Sequence, residues 1–207
     1  MHYRYPNNLE KTPLCSIMTN SGSDKGNHFW HNYTSLYTRL FETYESKPIT
    51  LFELGLGTNN EKLASNMGST GVPGASHRGW ADYFVDAYIY GADIDERILF
   101  QDGRIDCRFH CDQRNPESVI KMWNQLAGVN FDIIIDDALH DYPANIVFYE
   151  NSFHKLKTGG LYIIEDILVG QRDQFLWYFS ENDSATLYEL EIKDNPFDNR
   201  LLVVRKS

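Results

Sequence analysis

Short apolar segments alternate with helix-like segments along most of this chain, and this pattern most restricts what it can fold into. Runs with the composition of buried strands lie at 49–54, 87–94, 105–110, 131–135 and 161–164. Between them, helices are predicted at 115–126, with Pro116 in the first turn, and at 142–156, which Gly159-Gly160 follows as a stop signal. Alternating strands and helices predict an α/β architecture, in which a parallel sheet has helices on both faces. Two β-rich runs, 186–192 and 201–205, predict a C-terminal antiparallel hairpin.

The length of 207 residues suits one such domain with a substantial core. No internal repeat or linker divides the chain, so we expect a single structural domain with two parts. Residues 1–48 are predicted to form an N-terminal arm or lid, polar and aperiodic up to residue 27, and then a helix at 32–44. Residues 49–207 are predicted to form the cofactor-binding part, in which 59–75 is a loop.

Composition narrows the choice of partners. The formal net charge is −10, and an acidic surface repels nucleic-acid phosphates, so a DNA or RNA partner is not expected. No apolar run approaches the ~20 residues that span a bilayer, and residues 1–10 lack the apolar region of a signal peptide. We therefore expect a cytoplasmic protein without a membrane partner. Cys15, Cys107 and Cys111 are too few for a disulfide framework, and no second ligand pair accompanies them to form a structural zinc site.

Acidic residues follow the predicted strands at their carboxyl ends, which is where open α/β sheets bind ligands. In chain order these ends carry Glu53 with Gly55 and Gly57, Asp93 with Asp95, Asp112 with Gln113, Asp136 with Asp137, and Glu165 with Asp166. A single acidic strand end is explained by a helix cap or a solvated turn. Five in succession indicate a ligand site along this edge of the sheet.

The turn Gly55-Leu56-Gly57 lets the backbone approach a nucleotide cofactor, and enzymes that use NAD or S-adenosylmethionine (SAM) both have such a turn. Asn60 occupies the position at which the dinucleotide fingerprint has its third glycine, and no helix is predicted to begin there. This argues against a pyrophosphate at a helix N-terminus, and therefore against NAD.

Two later strand ends suit a nucleoside. A carboxylate at the end of the second predicted strand, Asp93 or Asp95, can accept hydrogen bonds from both ribose hydroxyls. Asp112 and Gln113, after the third strand, suit the edge of an adenine. The alternative for Asp112 is an ordinary turn residue.

Three groups of residues resemble the sugar O-methyltransferases of the macrocin and mycinamicin type, which are class I SAM-dependent methyltransferases of natural-product and surface-glycan biosynthesis. The groups are Ser23-Asp24-Lys25-Gly26 with His31-Asn32-Tyr33; Pro73-Gly74-Ala75-Ser76 with Trp80, Asp82-Tyr83-Phe84 and Tyr90-Gly91-Ala92-Asp93-Ile94-Asp95; and Ile135-Asp136-Asp137 with His140. The chain departs from this pattern at His77, where an apolar residue is expected, and in the long loop at 59–75.

The resemblance to the wider class I group covers roughly residues 49–207 and implies the Rossmann-like class I methyltransferase fold. That fold has a mostly parallel seven-stranded sheet, here with the C-terminal antiparallel hairpin and an N-terminal helical arm. The resemblance also implies SAM as the cofactor and a sugar or glycosylated metabolite as the acceptor. Aromatic residues of the N-terminal arm, Tyr3, Tyr5, Phe29 and Trp30, would suit subunit contacts in a homo-oligomer. The expected SAM-binding residues are Glu53, Gly55, Gly57, Ser76, Asp93, Asp95, Asp112, Gln113 and Asp136.

Asp137, Glu165 and Asp166 are predicted to hold a divalent metal ion. They follow neighbouring strands in this fold, so their carboxylates can meet, and without an ion these groups would repel one another. Three hard oxygen donors without a cysteine suit Mg²⁺ first, or Mn²⁺ or Ca²⁺, rather than zinc. The resemblance implies the same three ligands. The alternative is that Glu165 and Asp166 cap the following helix.

His140 and Asp137 are the predicted catalytic residues. His140 lies three residues after Asp137, on the expected first turn of the next helix. A neutral imidazole there can take the proton of a sugar hydroxyl whose pKa the metal ion lowers. The alternative is a structural histidine. Lys25, His31 and Tyr33 are expected to form a lid over the site, or else to pack within the N-terminal arm.

The sequence thus predicts a SAM-dependent, metal-assisted O-methyltransferase that acts on a hydroxyl of a small molecule, foremost a sugar of a natural product or surface glycan. Three alternatives stay open. They are a metal-independent methyltransferase of an antibiotic, phosphonate or phenol; a cephalosporin-hydroxylase-like protein on the same fold; and a non-catalytic subunit with this fold. The intact set of Asp137, His140, Glu165 and Asp166 argues against the last.

Overall fold

A mixed sheet with helices on both faces forms the centre of the protein, in a computed structural model that describes residues 1–4, 10–26 and 30–207. Residues 5–9 and 27–29 belong to the predicted N-terminal arm and lie outside the described residues. The strands are β1 (His2–Arg4), β2 (Thr50–Leu54), β3 (Tyr88–Asp93), β4 (Phe100–Asp102), β5 (Ile105–His110), β6 (Phe131–Asp136), β7 (Leu156–Ile164), β8 (Ala185–Glu189) and β9 (Arg200–Arg205). The helices are α1 (Pro13–Ser21), α2 (Tyr33–Leu40), α3 (Ala75–Tyr83), α4 (Pro116–Gln125), α5 (Tyr142–Ser152) and α6 (Arg172–Tyr178), and short 3₁₀ helices cover Asp24–Gly26, Glu96–Ile98 and Phe153–Lys155.

The described strands have the spatial order β1-β8-β9-β7-β6-β2-β3-β5-β4. From β5 to β8 this order contains seven strands, which are parallel to their neighbours except that β9 is antiparallel to both β7 and β8. The predicted C-terminal hairpin, β8–β9, is therefore confirmed. The expected number of seven strands was wrong for the described sheet, because β1 and β4 extend its two edges to give nine. Each of these edge strands has three residues, which is too short for an alternating pattern to be recognised in the sequence.

Alternation along the central strands divides the core between the two faces of the sheet. In β6, Ile133 and Ile135 pack on one face and Ile134 packs on the other. Trp80 of α3 belongs to the first face and Phe148 of α5 to the second, and both side chains are fully buried. Because helices cover both faces, a packed core holds the strand ends in place. The backbone of the acidic residues at those ends is therefore fixed.

Most predicted helices are present, with corrected boundaries. The predicted helix at 32–44 is α2, which ends at Leu40, and the one at 142–156 is α5, which ends at Ser152 and continues as a 3₁₀ turn. The predicted loop at 59–75 has neither helix nor strand up to residue 74. None of the described helices is long and apolar enough to cross a membrane. The cytoplasmic location stays a prediction.

The N-terminal arm contains a helix, α1, that the sequence pattern did not reveal. Its nine residues bury only Leu14, Cys15 and Met18, so the apolar period is too short to stand out from a polar segment. The start and the end of α1 do carry local signals. Pro13 occupies its first turn, and Gly22 ends it with a left-handed φ of 93°.

Candidate active site

A cavity of about 940 Å³ opens at the carboxyl ends of the central strands. Its described lining includes Gly55 and Gly57 after β2, Asp93 at the end of β3, Asp112 and Gln113 after β5, Asp137 and His140 after β6, and Asp166 after β7. From β2 the chain first adds β3 on one side and later adds β6 on the other. Open α/β sheets bind ligands at such a reversal of strand order, so the cavity has the position of a cofactor site.

The glycine turn after β2 is packed too closely for side chains. Gly55 has φ +100°, and a Cβ there would overlap the backbone oxygen of Asp137. Gly57 has φ +78°, and its Cβ would overlap the flexible end of the Met67 side chain. The first glycine therefore lets two strand-end loops touch, and the second makes room for the loop at 59–74, part of which lines the cavity.

The two acids at the end of β3 have different surroundings. Asp93 lines the cavity, and its carboxylate accepts hydrogen bonds from the backbone N–H groups of Leu56 (2.7 Å) and Asp95 (2.8 Å). Asp95 accepts hydrogen bonds from Thr58 Oγ1 (2.5 Å) and from the guanidinium of Arg97 (2.6 and 2.7 Å), which holds the pKa of Asp95 below its usual range. Asp95 is not among the described residues that line the cavity. Of the two ribose candidates, the structure brings Asp93 to the cavity.

Asp136 is wholly buried and organises the loop after β6. Its carboxylate accepts hydrogen bonds from Gln113 Nε2 (2.6 and 2.7 Å) and from Asn145 Nδ2 (2.9 Å). Gln113 Oε1 in turn accepts a hydrogen bond from the N–H of Leu139 (3.0 Å). Burial raises the pKa of Asp136 to about 7. Gln113 lines the cavity, but its side-chain amide is engaged with these protein groups.

The remaining predicted cofactor residues also divide into residues that line the cavity and residues that are buried beside it. Ser76 and Asp112 line the cavity, whereas Glu53 is fully buried and is not part of the described lining. Trp80 Nε1 donates to Glu53 Oε2 (2.6 Å), and His77 Nε2 lies 3.3 Å from the backbone oxygen of Glu53. His77, which departs from the family pattern, is therefore part of the buried network around Glu53.

Lys25 lies among the carboxylates of the predicted metal site. Its Nζ is 2.5 Å from Asp137 Oδ2, 2.6 Å from Glu165 Oε2 and 3.2 Å from Glu53 Oε1, and the residue is 2% exposed. Burial by itself lowers the pKa of this ammonium, but the three carboxylates outweigh burial and raise the pKa well above its usual value. Glu53 Oε1 accepts no hydrogen bond from the described residues, so its contact with Lys25 is electrostatic. Lys25 thus supplies a fixed positive charge between three acids.

Two tyrosines of α2 hold the acids that follow β7. Tyr37 Oη donates to Glu165 Oε1 (2.5 Å), and Tyr33 Oη donates to Asp166 Oδ1 (2.5 Å). Both oxygens of Glu165 are therefore engaged, one by Tyr37 and one by Lys25. Burial raises the pKa of Glu165, and Lys25 offsets this only in part. Glu165 is not among the described residues that line the cavity, whereas Asp166 is.

His140, Asp137 and Asp166 meet in the cavity. His140 Nε2 is 3.3 Å from both Asp137 Oδ1 and Asp166 Oδ2, and the three residues offer ligand atoms that lie within 4.8 Å of one another. Burial lowers the pKa of His140, but Asp166 and Asp137 outweigh burial and raise it to about 9. Burial would raise the pKa of Asp137, but Lys25 and His140 hold it below its usual range. The geometry groups Asp137 and Asp166 with His140, and metal ligation by Asp137, Glu165 and Asp166 stays a prediction.

The backbone is strained at two of these residues. His140 has φ +56° and Asp166 has φ +54°, in the left-handed region, which costs a residue with a Cβ roughly 1–2 kcal/mol. His140 lies two residues before α5, so its predicted position on the first turn of the helix was wrong. Strain of this kind is concentrated at functional sites, where the surrounding structure holds a side chain in place.

The predicted lid residues reach the site from the N-terminal arm. Lys25 and His31 line the cavity, while Tyr33 holds Asp166. The His31 ring stacks on Tyr33 with 4.5 Å between centroids, and His31 Nδ1 lies 3.2 Å from Asn199 Oδ1. Lys25 and His31 therefore face the cavity, whereas Tyr33 is fully buried, and the lid formed by the three residues stays a prediction.

Sequence reasoning missed Tyr37 and the connection between β8 and β9, from which Asn195, Phe197 and Asp198 line the cavity. The connection has only the composition of a turn, which carries no functional signal. A usable signal existed for Tyr37. Its spacing of four residues from Tyr33 places two phenols on one face of a helix.

Known proteins with sequences similar to this chain are sugar methyltransferases, and no family model matches it. Over 156 residues, the chain is 29% identical to the 8-demethyl-8-alpha-L-rhamnosyl tetracenomycin-C 2'-O-methyltransferase of Streptomyces olivaceus, covering 74% of this chain and 37% of that protein. Over 159 residues, it is 30% identical to the L-olivosyl-oleandolide 3-O-methyltransferase of Streptomyces antibioticus, covering 76% of this chain and 38% of that protein. The matched region spans less than two fifths of the length of these curated relatives.

Solved structures resemble the chain over nearly its whole length. The MycE methyltransferase from the mycinamycin biosynthetic pathway, in complex with Mg, SAH and mycinamycin VI, has a TM-score of 0.69 at 22% identity and covers 96% of this chain and 56% of that one. At this identity, the similarity to MycE shows a shared fold. The cavity lies at the carboxyl edge of the sheet, which is where such a fold has its ligand site. The chain therefore has the fold of class I SAM-dependent methyltransferases and is similar in sequence to the sugar O-methyltransferases of the macrocin, mycinamicin and tetracenomycin type.

Proposed function

We propose that this chain is a SAM-dependent, divalent-metal-assisted O-methyltransferase that methylates a sugar hydroxyl of a glycosylated small molecule. One observation carries the proposal, namely that a single cavity joins the glycine turn and Asp93 to the group Asp137, His140 and Asp166. Such a cavity can hold a nucleoside cofactor beside a group that activates a hydroxyl. The similar proteins are named as O-methyltransferases of rhamnosyl and olivosyl compounds, which supports the same reaction.

The proposed contacts to SAM are Gly55, Gly57, Ser76, Asp93 and Asp112. Asp93 keeps lone pairs for the ribose hydroxyls, because its two backbone hydrogen bonds use only part of the accepting capacity of a carboxylate. Glu53, Asp95 and Asp136 were expected to be direct ligands, but they are not among the described residues that line the cavity, and the amide of Gln113 is engaged by Asp136 and Leu139. Asp112 lines the cavity, although its carboxylate also accepts hydrogen bonds from Arg114 (3.0 and 3.1 Å). We propose that Glu53, Asp95, Gln113 and Asp136 hold the residues around them in place and do not contact SAM themselves.

The donor set fits a divalent ion. Asp137 and Asp166 contribute hard carboxylate oxygens within 4.8 Å of each other, which is the chemistry that Mg²⁺ prefers. We propose these two as ligands, with Glu165 as the third if it exchanges its hydrogen bond from Lys25 for the ion. A divalent cation bound there would lower the pKa of a contacting hydroxyl and, by neutralising the two carboxylates, also that of the His140 imidazole.

His140 is the proposed general base. Its neutral imidazole accepts the proton of the acceptor hydroxyl, and the hydroxyl oxygen forms a bond to the methyl carbon of SAM. The C–S bond breaks at the same time, and its electron pair stays on sulfur, which yields S-adenosylhomocysteine (SAH). Asp137 orients the imidazole through its contact with Nε2, and the strained backbone at His140 holds the ring in the cavity.

Calorimetry followed by mass spectrometry tests the proposal. We expect SAM and SAH to bind and NAD not to bind, and Asp93→Ala to weaken SAM binding by roughly 1–3 kcal/mol. With SAM, MgCl₂ and a panel of 6-deoxyhexose glycosides, an acceptor should gain the mass of one CH₂. A gain of one oxygen atom would instead identify a hydroxylase-like activity, and failure to bind SAM would overturn the proposal.

The same methyl transfer without a metal ion is a second candidate, which the position of Lys25 favours. Its ammonium already neutralises part of the charge on Asp137 and Glu165, as a bound cation would. Turnover in the presence of EDTA separates the two candidates. Activity that is lost in EDTA and restored by Mg²⁺ supports the metal-assisted reaction, while full activity in EDTA supports the metal-free one.

A further inference from the structure

A second group of possible metal ligands lies beside the proposed catalytic group. It consists of His31 from the N-terminal arm, Asp166 after β7 and Asp198 from the β8–β9 connection, and we call it the arm site. These residues line the cavity and offer ligand atoms that lie within 4.8 Å of one another. The arm site shares only Asp166 with the ligands proposed above, so it is a separate place for a cation.

The two carboxylate oxygens of Asp166 face different groups. Oδ2 lies 3.3 Å from His140 Nε2, which is also 3.3 Å from Asp137 Oδ1, whereas Oδ1 lies 3.6 Å from His31 Nδ1. Tyr33 Oη donates to Oδ1 (2.5 Å), which leaves that oxygen a second lone pair. A carboxylate in this position can bridge two cations, with one at each oxygen.

His31 is held with Nδ1 toward acceptor oxygens. Its side chain is 9% exposed, and Nδ1 lies 3.2 Å from Asn199 Oδ1 in addition to its contact with Asp166. The orientation of the Asn199 amide is fixed, because its Nδ2 donates to Asn32 Oδ1 and to the backbone oxygen of Leu190 (both 2.9 Å). A nitrogen and two acceptor oxygens therefore converge, and either a proton on Nδ1 or a cation must lie between them.

The other ring nitrogen of His31 suits the tautomer that a metal ion requires. Nε2 lies 3.8 Å from Asp24 Oδ2 and forms no hydrogen bond with the described residues. A histidine that binds a metal ion commonly directs its second N–H to a carboxylate, which fixes the tautomer. Asp24 supplies such a carboxylate, so Nδ1 can offer its lone pair to an ion while Nε2 keeps the proton.

The charge around the arm site favours a cation. Among the described residues, Asp198 forms no ion pair, and Asp166 forms ion pairs only with histidines. Lys62 and Arg114 line the same cavity, but neither forms an ion pair with Asp166 or Asp198, and Arg114 is engaged by Asp112. Two neighbouring carboxylates without a lysine or arginine partner repel each other, and a bound divalent ion would remove that repulsion.

We propose that His31, Asp166 and Asp198, with the amide oxygen of Asn199 beside them, bind a second divalent cation. Asp166 then bridges this cation to the ion of the proposed function, and the inference rests on that function only for the first ion. One imidazole nitrogen among oxygen donors, without a cysteine, suits a first-row transition metal ion such as Mn²⁺. The second ion would tie the N-terminal arm to the residues that follow β7 and β8.

Titration with Mn²⁺ tests the proposal on the full chain, after removal of metal with EDTA and gel filtration. Electron paramagnetic resonance (EPR) measures the unbound Mn²⁺. We expect the wild type to bind two ions with a coupled EPR spectrum, because Asp166 joins them. His31→Ala and Asp137→Asn should each bind one ion and lose the coupling, and the double variant should bind none.

Asp198→Asn provides a milder test, because it keeps an oxygen for the hydrogen bond from Asn195 (2.6 Å) and removes the charge. It should weaken binding of the second ion on the order of 10–100-fold, the range for losing a supporting group at a metal site. His154→Ala removes an exposed histidine of the 3₁₀ turn after α5 and should still bind two ions. Circular dichroism checks that each variant is folded.

Two outcomes would overturn the arm site. One is a wild type that binds a single ion, which Asp137→Asn abolishes, and the other is a His31→Ala variant that still binds two ions. The proposed metal ligands fail in a different way. A single ion that Asp137→Asn keeps and His31→Ala abolishes would support the arm site and contradict those ligands, and a wild type without any bound ion would contradict both.

Discussion

At the scale of single residues, Lys25 has the most direct consequence for stability. Lys25→Met keeps the length of the side chain and removes its charge, which leaves Asp137 and Glu165 without their counter-ion. Removing one partner of a buried ion pair typically costs about 3–5 kcal/mol, and we expect urea denaturation in EDTA to give a loss of that size. Lys157→Met is the matched control, because the Lys157 side chain, which pairs with Asp132 (2.7 Å), is 42% exposed, and its removal should cost less than about 1 kcal/mol. If Lys25→Met and Lys157→Met lost equally little stability, Lys25 would not be the counter-ion of Asp137 and Glu165.

Substitution of His140 should lower the rate of methyl transfer and leave the affinity for the cofactor unchanged. We expect His140→Ala to lower kcat by about 10²–10⁴, the usual range for loss of a general base, with SAH affinity within twofold of the wild type. The residual rate should rise with pH, because hydroxide then replaces the imidazole. His154→Ala, an exposed histidine in the 3₁₀ turn after α5, is the control and should keep full activity. An undiminished rate in His140→Ala would assign the proton transfer to another group.

At the scale of elements, the two glycines of the turn after β2 distinguish the steric cost of an added Cβ from the cost of a left-handed backbone conformation. Gly55→Ala would place a Cβ against the backbone oxygen of Asp137, which cannot move without shifting the loop after β6. Gly57→Ala would meet only the flexible end of Met67, so the remaining cost is the left-handed φ of +78°, roughly 1–2 kcal/mol. We therefore expect Gly55→Ala to lower the free energy of unfolding by more than about 3 kcal/mol and to abolish SAH binding.

Thermal and urea unfolding of both glycine variants, with SAH titrations, provide the measurement. Gly68→Ala isolates the backbone cost, because Gly68 has φ +66° and nothing lies within 4 Å of its added Cβ. Its loss should match that of Gly57→Ala. Equal losses in Gly55→Ala and Gly68→Ala would mean that the loops after β2 and β6 are not in close contact.

The elements that could be predicted carry a local signal. Apolar residues recur at helical spacing at 32–44, and two β-rich runs on either side of a turn indicate the C-terminal hairpin. The helix α1 buries only three residues, and β1 and β4 have three residues each, so none of the three shows a recognisable pattern. The strand β1 also depends on a partner far along the chain, since His2 pairs with Thr186.

The candidate site was predictable where it follows from strand ends. Asp137 and Asp166 meet because β6 and β7 are adjacent parallel strands, an adjacency that the resemblance to the class I methyltransferase fold implied. The contact of Lys25 with Asp137 does not follow from any local pattern, because 112 residues separate the two. The engagement of Glu165 by Tyr37 was hidden for the same reason, at a separation of 128 residues.

At the scale of the whole molecule, Asp136 makes stability depend on pH. Burial raises its pKa from 3.8 to about 7, so the folded state keeps a proton that the unfolded state releases. The stabilisation is complete below about pH 4 and is lost as the pH rises to 7, by about 4 kcal/mol from the pKa difference. Asp136→Asn removes this titration. In EDTA, the free energy of unfolding of the wild type should fall relative to the variant between pH 4 and 7, and parallel profiles would contradict the shift.

The burial of Lys25 also sets an order of assembly. Asp137 and Glu165 are synthesised 112 and 140 residues after Lys25, which at 5–20 residues per second is a delay of roughly 6–28 seconds. Until they exist, docking of the arm would bury an ammonium without most of its counter-charge, so the arm waits in solvent while the sheet forms. Within this chain, the arm is therefore synthesised before the carboxylates that hold it and docks after them. Because Lys25 and His31 of the arm line the cavity, the cavity stays open to ligands until that docking step.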